Sequence, residues 1–161
     1  MPEYVPKLRT AVRLGQPAQE PVLGFLSLAQ QAEFHSGPET ILERLNAPDR
    51  VIPFHRHEDG AMLLVSRLDL EWVAPGRGVD PEWVCPPTYL VTREERVSVR
   101  FRSGLELEGL LRIEQPEMVN RASDFLNGPE DFFALMTADG VVLINKRAVL
   151  DCTCTNPRRC L

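Results

Sequence analysis

The stretch LNGPEDFFALMTADGVVLINKRAVLDC, residues 126–152, repeats the pattern of LNAPDRVIPFHRHEDGAMLLVSRLDLEW, residues 45–72. Each stretch opens with Leu-Asn, has a proline two residues later, and places an Asp-Gly pair between two apolar runs. An arginine and a further apolar run follow in both. Because the order and the spacing of these turn residues agree, the sequence predicts a tandem duplication.

The similarity extends upstream, where residues 12–28 lie over residues 99–113 and Gly24 matches Gly109. Turn residues that recur in both copies indicate architecture, so the Asn, Pro and Asp-Gly elements are interpreted as helix stops and hairpin turns rather than as an active site. Toward the end of each copy the alignment makes three further pairs: Arg67 with Arg147, Leu70 with Leu150, and Trp72 with Cys152.

Each copy is expected to contain two strands, a short helix, a hairpin and a last strand. Val97, Val99 and Phe101 alternate with polar residues, which is the period of a half-buried strand. Asp-Gly between apolar runs is a strong hairpin signal, because glycine accepts a positive φ. The predicted fold class is α+β, mainly β, with two pseudo-symmetric small β-barrel-like units, each of about five short strands and one short helix.

The helix of each copy has recognisable boundaries in the sequence. In the first copy Ser36 precedes Pro38 and is followed three residues later by Glu39, which predicts a capping box with an early proline. Pro48 is expected to end this helix. In the second copy we expect Asn120 to be the cap.

The chain divides into four segments by composition. We expect a first barrel-like repeat over residues 8–73, a Pro/Gly-rich linker over 74–90, a second repeat over 91–154 and a polar tail over 155–161. The apolar residues of the linker are expected to pack against the barrels: Trp83, Val84, Tyr89 and Leu90.

Two segments of the second copy, VSVRFRSGLELEGLLRI and GVVLINKRAVLDC, resemble the two halves of an Sm-like domain. The whole unit, with SDFLN before the hairpin, also resembles a family of small bacterial domains of uncharacterised function. The resemblance implies a small β-barrel of the SH3/Sm type in each copy. It also implies a nucleotide-binding role for the turn Asn145-Lys146-Arg147.

Composition limits the function classes. The chain has 161 residues, 43% hydrophobic and 25% charged, with a net charge of −5 and a pI of about 5.3. A general nucleic-acid binder needs a basic surface, so this balance disfavours one. No apolar run reaches the roughly 18 residues of a membrane span, and the N-terminus has no apolar core of a signal peptide. We therefore expect a cytoplasmic protein with reduced cysteines.

The cysteines are the most distinctive local feature. Cys152, Cys154 and Cys160 could supply three thiolates to Zn²⁺, with Cys85 or a histidine as the fourth ligand. The spacing is not that of two C-x-x-C knuckles, however, and the repeat explains Cys152 as a core residue at the position of Trp72. We favour the interpretation without metal and expect no cofactor.

Lys146 and Arg147 are the candidate nucleic-acid residues, because they occupy the turn in which Sm-like proteins bind nucleotides. The first copy has Val65-Ser66-Arg67 at the same place, so a solvent-exposed turn of mixed charge explains them as well. Arg67 and Arg147 are expected to reach a carboxylate or the carboxyl end of a helix. A nucleic-acid or nucleotide site would need a positive patch that also includes Arg158 and Arg159.

No residue set indicates catalysis. His55 and His57 could form a metal pair at a strand edge, but solvated histidines are the favoured interpretation. The carboxylate pairs lie beside no histidine and are interpreted as solvated surface: Glu94-Glu95, Glu106 with Glu108, and Glu130-Asp131. The chain carries none of the phosphate-binding, nucleophile-elbow or zinc-protease motifs.

The sequence therefore favours a non-enzymatic protein-interaction or scaffold module in the bacterial cytoplasm. Small barrels expose strand edges and helix–sheet grooves, which accept added strands or peptides. We expect a protein partner, no membrane and no general nucleic acid, and a possible homodimer through exposed strand edges. Two alternatives stay open, an Sm-like nucleic-acid or nucleotide binder and a small zinc-dependent regulator that uses the C-terminal cysteines.

Overall fold

The computed structural model describes residues 7–87 and 90–155, and its strands form one antiparallel sheet of ten. Both helices are short. The elements of the first half are β1 (Lys7–Gly15), β2 (Val22–Ala29), α1 (Ile41–Asn46), β3 (Val51–Arg56), β4 (Met62–Ser66) and β5 (Trp72–Pro75). Those of the second half are β6 (Arg93–Phe101), β7 (Glu106–Ile113), α2 (Ala122–Leu126), β8 (Phe132–Thr137), β9 (Gly140–Asn145) and β10 (Val149–Cys154). The prediction of a mainly β, α+β chain is confirmed.

The strand order is β10-β6-β7-β8-β9-β5-β1-β2-β3-β4. Within each half the order is therefore the same, with the fifth strand beside the first and the fourth at the far side. The ladder between β5 and β9 joins the halves, so they share one sheet. The sheet is open, and β4 and β10 are its edges among the strands described. Barrel-like closure of each half stays a prediction.

The pairing register also repeats between the halves. Val12 lies opposite Gly24 in the first half, and Val97 lies opposite Gly109 in the second. A Cβ atom on either glycine would collide with the neighbouring strand, at 2.0 Å from the His55 carbonyl oxygen for Gly24. The glycines recur because the second and third strands approach closely there.

The register corrects the sequence alignment of the last strand by one residue. Trp72 pairs with Gly15, three residues after Val12, whereas Asp151 pairs with Arg100, three residues after Val97. Asp151 therefore occupies the position of Trp72, and Cys152 occupies the position of Val73.

The assumed match of Leu70 with Leu150 is wrong for the same reason. Leu70 is buried, but Leu150 is exposed at a register shift between Val149 and Asp151. The extra residue of this bulge turns Leu150 toward solvent, and Val149 takes the position of Leu70.

Two apolar clusters form the core and interlock at the joint between the halves. The cluster of the first half contains Phe132 and Leu143, which belong to the second half. Trp72 of the first half in turn packs against the cluster of the second. Each half thus completes the core of the other, as expected for small units that share a core.

The helices begin differently from the sequence prediction. In α1 the cap is Thr40 rather than Ser36, and the Thr40 backbone N–H and the Glu43 carboxylate make the capping box. Gly37 has a positive φ, so the chain is still turning when it leaves Ser36.

The second helix repeats this start. The cap of α2 is Arg121, whose backbone N–H donates to Asp124, at 3.2 Å. The predicted cap Asn120 instead donates its side-chain amide to Thr92. In both helices an acidic residue three positions after the cap accepts from the cap backbone.

Part of the linker packs down as expected. Val84 is buried in the first core, and its carbonyl oxygen accepts from the Leu42 backbone N–H, at 2.9 Å. Leu90, by contrast, is exposed, since it lies at the chain's entry to the second half rather than against a core. Tyr89 lies outside the described residues.

The hairpin turns give a stability prediction. Gly60 has φ +70° and Gly140 has φ +123°, which confirms the expected positive φ at both Asp-Gly turns. Gly60→Val should lower the free energy of unfolding by about 1 kcal/mol or more, because a β-branched residue is strained there. Chemical denaturation measures this cost. Gly60→Asn is the matched control, since asparagine tolerates the left-handed region and should lose less. Equal stability of Gly60→Val and wild type would contradict the turn assignment.

Candidate functional site

A cleft of about 840 Å³ lies between α1, the linker, and the β7, α2 and β8 region of the second half. Its apolar lining comes from both halves, with Leu42 on α1, Phe125 on α2, and Phe133 and Met136 on β8. These side chains converge because α1 packs across β8. The cleft therefore exists only where the two halves meet.

Asparagine 46 fixes α1 against the second half. The Asn46 side-chain amide donates to the Phe132 carbonyl oxygen, at 3.2 Å, and its oxygen accepts from the Phe132 backbone N–H, at 2.8 Å. The side chain thus pairs with β8 as a neighbouring strand would. This contact sets the distance between the helix and the strand, and hence the width of the cleft.

The rim of the cleft carries more negative than positive charge. Two cations line it, Arg112 and Lys146. Five carboxylates line it: Glu33, Glu39, Glu43, Glu114 and Glu130. The apolar floor and the acidic rim together make a surface suited to an amphipathic, basic ligand.

Both cations already have protein partners. Lys146 Nζ donates to the Gly128 carbonyl oxygen, at 3.1 Å, and burial lowers the pKa of this amine. Arg112 Nε lies 3.5 Å from a carboxylate oxygen of Glu94. Glu94 therefore partly neutralises Arg112, whereas Lys146, which donates to a neutral carbonyl oxygen, keeps its charge.

His35 and Glu43 form an ion pair beside the cleft. The His35 Nε2 atom lies 2.6 Å from Glu43 Oε1. This hydrogen bond, with a second one to the Ser36 carbonyl oxygen, raises the pKa of His35. Burial pushes the pKa of Glu43 upward, but hydrogen bonds from His35 and Thr40 outweigh it, so that the pKa is lowered.

The structure separates the two candidate nucleic-acid residues. Lys146 lines the large cleft, whereas Arg147 is exposed and lines a smaller depression beside Arg102 and Glu71. The basic residue that reaches the end of the helix segment is Lys146, in the position that Arg67 holds in the first half. Arg67 donates to the carbonyl oxygens of Leu45 and Asp49, as expected. The same expectation for Arg147 is wrong, because the first residue after the fourth strand is Arg67 in the first half and Lys146 in the second. Arg158 and Arg159 lie outside the described residues.

Two described cysteines, Cys85 and Cys152, have free thiols and lie in different parts of the fold. Cys85 lines the cleft, whereas Cys152 lies on β10 and packs against the second core. Burial, and then the negative charge of Asp151, raise the pKa of Cys152 to about 11, so this thiol stays protonated at neutral pH. Cys154 is disulfide-bonded, which departs from the expected reduced state. Cys160 lies outside the described residues.

Within residues 7–87 and 90–155, no three side chains of the His, Cys, Asp or Glu type lie close enough together to hold a metal ion. His55 is half-buried on β3, and His57 is exposed with its ring edge-on to Phe25, at 6.3 Å between ring centroids.

Sequence reasoning missed buried carboxylates. Glu95, interpreted as surface, is buried on the inward face of β6, with Arg93 Nε at 3.6 Å. Glu71 is also buried and accepts a hydrogen bond from Ser103, at 2.8 Å. The alternation of β6 places Glu95 on the face of Val97, and that alternation was the signal that could have found it.

Comparison of the chain with protein-family models, with curated proteins and with solved structures finds no match. Among the described helices, none is long and apolar enough to cross a membrane.

The His35–Glu43 pair gives a pH prediction. The pKa of His35 should lie above 6.5, so the stabilisation from the pair is present below that pH and is lost as the pH rises through the raised pKa. An NMR titration of the imidazole measures the pKa directly. Glu43→Gln should shift it downward, because the carboxylate that favours the charged ring is gone. An unchanged His35 pKa in Glu43→Gln would refute the pairing.

Proposed function

We propose that this protein is a non-enzymatic protein-interaction module, built as a tandem repeat of one strand–helix–strand unit. Its cleft binds a segment of a partner protein that carries apolar anchors and flanking Lys or Arg residues. The observation that carries the proposal is the apolar cleft with five carboxylates and two cations on its rim. The strand order and register that recur in the two halves support their origin as a tandem repeat.

An exposed aromatic residue at the mouth of the cleft supports a binding role. Phe34 lines the cleft and is 85% exposed. Aromatic side chains that stay in water until a partner covers them are typical of interaction surfaces and contribute much of the binding energy there. In this proposal Phe34 closes over the bound segment.

The charge of the cleft selects the kind of segment. Glu33, Glu114 and Glu130 are exposed carboxylates on its rim. The net charge of the chain, −5, adds to their field. Opposite charges across an interface raise the association rate and exclude acidic competitors, so a basic segment fits and an acidic one is repelled.

The chemistry of the cleft favours binding over catalysis. Cys85 is a thiol that lines the cleft, and burial raises its pKa. A protonated thiol is a weak nucleophile, whereas catalytic cysteines have lowered pKa values. Cys85 is thus suited to packing against an apolar ligand group.

Selection from a phage-displayed random peptide library tests the proposal. The recovered peptides should combine an aromatic or aliphatic anchor with Lys or Arg, and their affinity should fall as salt rises. Phe34→Ala should weaken the binding of a selected peptide by about tenfold or more, since an anchor typically contributes above 1 kcal/mol. Met118→Ala is the matched control, because Met118 is 92% exposed and does not line the cleft.

A charge variant separates electrostatic from apolar recognition. Glu33→Lys with Glu130→Lys should reduce the affinity for basic peptides and remove most of its salt dependence. Glu20→Lys, an exposed carboxylate outside the cleft, should leave both unchanged. Peptides without basic residues, or binding that Phe34→Ala leaves intact, would overturn the proposal.

A further inference from the structure

We propose that the protein assembles head to tail with further copies of itself, with β10 of one chain pairing antiparallel with β4 of the next. The pairing would follow the register by which β5 and β9 join the two halves within a chain. The partner is a second copy of this chain, and the proposal does not depend on the function of the cleft.

The strand order itself creates the two complementary edges. The joint inside the chain pairs the last strand of the first half with the fourth strand of the second. The two edges left over are the fourth strand of the first half, β4, and the last strand of the second half, β10. Each chain therefore presents at its ends the same two kinds of strand that it joins in its middle.

The edge at β4 exposes apolar side chains that the internal joint buries. Leu64 is 69% exposed, whereas Leu143, at the same position of β9, is 0% exposed. Val51 is 46% exposed, whereas its counterpart Phe132 is 1% exposed. An edge strand with uncovered apolar residues is a template for pairing, and it carries no inward charge or proline to block it.

The edge at β10 lacks the apolar cover that the internal joint gives to β5. In the first half Leu45, Leu70 and Val73 are fully buried, and part of their cover comes from Phe132 and Leu143 of the second half. Their counterparts in the second half are only half-buried: Leu126, Val149 and Cys152. In the assembly, the half-buried apolar groups at the β10 edge of one chain would lie against the exposed apolar groups at the β4 edge of the next.

The internal joint specifies the register of the intermolecular one. Val73 lies opposite Leu143. The equivalent pair between chains is Cys152 opposite Leu64. Asn46, which binds the backbone at the start of β8, has its counterpart in Asn127, whose side chain would reach the backbone of Val51 in the next chain.

One pair makes the intermolecular joint weaker than the internal one. Arg67 Nη1 lies 2.8 Å from Asp131 Oδ2 across the internal joint. The equivalent positions between chains hold Lys146 and Arg50, which repel each other. The assembly should therefore be reversible, and Arg50→Asp should tighten it by restoring the ion pair.

The interface is heterologous, because two different edges meet. Repeated contacts of this kind close into a ring or continue as a filament, whereas a symmetric dimer would use the same edge twice. Head-to-tail pairing therefore differs from the two-fold homodimer through exposed edges that the sequence suggested.

Disulfide trapping tests the register. Leu64→Cys, oxidised in otherwise wild-type protein, should give chains linked through Cys152 as dimers and longer species on a non-reducing gel, because directly opposed residues have disulfide geometry. Leu23→Cys, exposed on a strand paired on both sides, is the control and should give no such ladder. Leu64→Cys with Cys152→Ala and Cys85→Ala, which removes both free thiols of the described residues, should also give none. Cross-links in that triple variant would show a symmetric β4 contact and overturn the proposal.

Analytical ultracentrifugation tests the assembly without cross-linking. The fraction of wild type that sediments as species larger than a monomer should rise with protein concentration. Leu64→Arg should sediment as a monomer. Met118→Arg should behave as wild type. Arg50→Asp should shift the equilibrium toward the assembly, whereas Arg77→Asp, the same charge change in the linker, should shift it less. A wild type that stays monomeric at every concentration, with no trapped ladder, would overturn the proposal.

Discussion

The ladder between β5 and β9 is the contact on which the rest of the molecule depends. It is short, with Trp72 opposite Ile144 and Val73 opposite Leu143. A buried asparagine strengthens it, since the Asn145 side-chain amide donates to the Leu68 and Leu70 carbonyl oxygens, at 2.8 Å each. Without this joint both halves would expose a strand edge and an apolar face, and neither would bury enough surface to be stable alone.

A buried arginine adds specificity to the same joint. Arg67 donates to two carbonyl oxygens of its own half and to Asp131 of the other, so its guanidinium is satisfied although it is buried. An ion pair of this kind adds little net stability, but a buried arginine left without partners is costly. The cost of any other arrangement therefore selects this relative placement of the halves, and with it the width of the cleft.

The elements with strong local signals were predictable from the sequence. The Asp-Gly turns have the positive φ that the sequence required, and the alternating Val97, Val99 and Phe101 lie on the buried face of β6. The helix caps were harder to predict, because Thr40 and Ser36 are both good cap residues and tertiary packing decides between them. The position of Leu150 depends on a bulge, and no residue type in the sequence indicates that bulge.

The site was harder to predict than the fold, since it lies between the halves. Phe34 and Glu130 are far apart in the sequence and line one cleft only because Asn46 pairs α1 with β8. The repeat pattern describes each half but not the way the halves meet. Glu95 was misplaced for a related reason, because surface carboxylates and buried ones have the same residue type, and only the strand face distinguishes them.

If the cleft binds a partner as proposed, its place at the joint would link stability to binding. The cleft uses α1 of the first half and β8 of the second, so any loosening of the β5–β9 ladder would widen it. The same physical contact, repeated between chains, would extend the sheet and leave the clefts on successive molecules at a fixed spacing.

Native-state hydrogen exchange of the full chain tests the central claim that the halves form one cooperative unit. The most protected backbone amides of β1–β2 and of β6–β7 should exchange with the same free energy of opening, because neither half stays folded when the joint opens. Two distinct values, one for each half, would show that the halves unfold independently and would contradict the account.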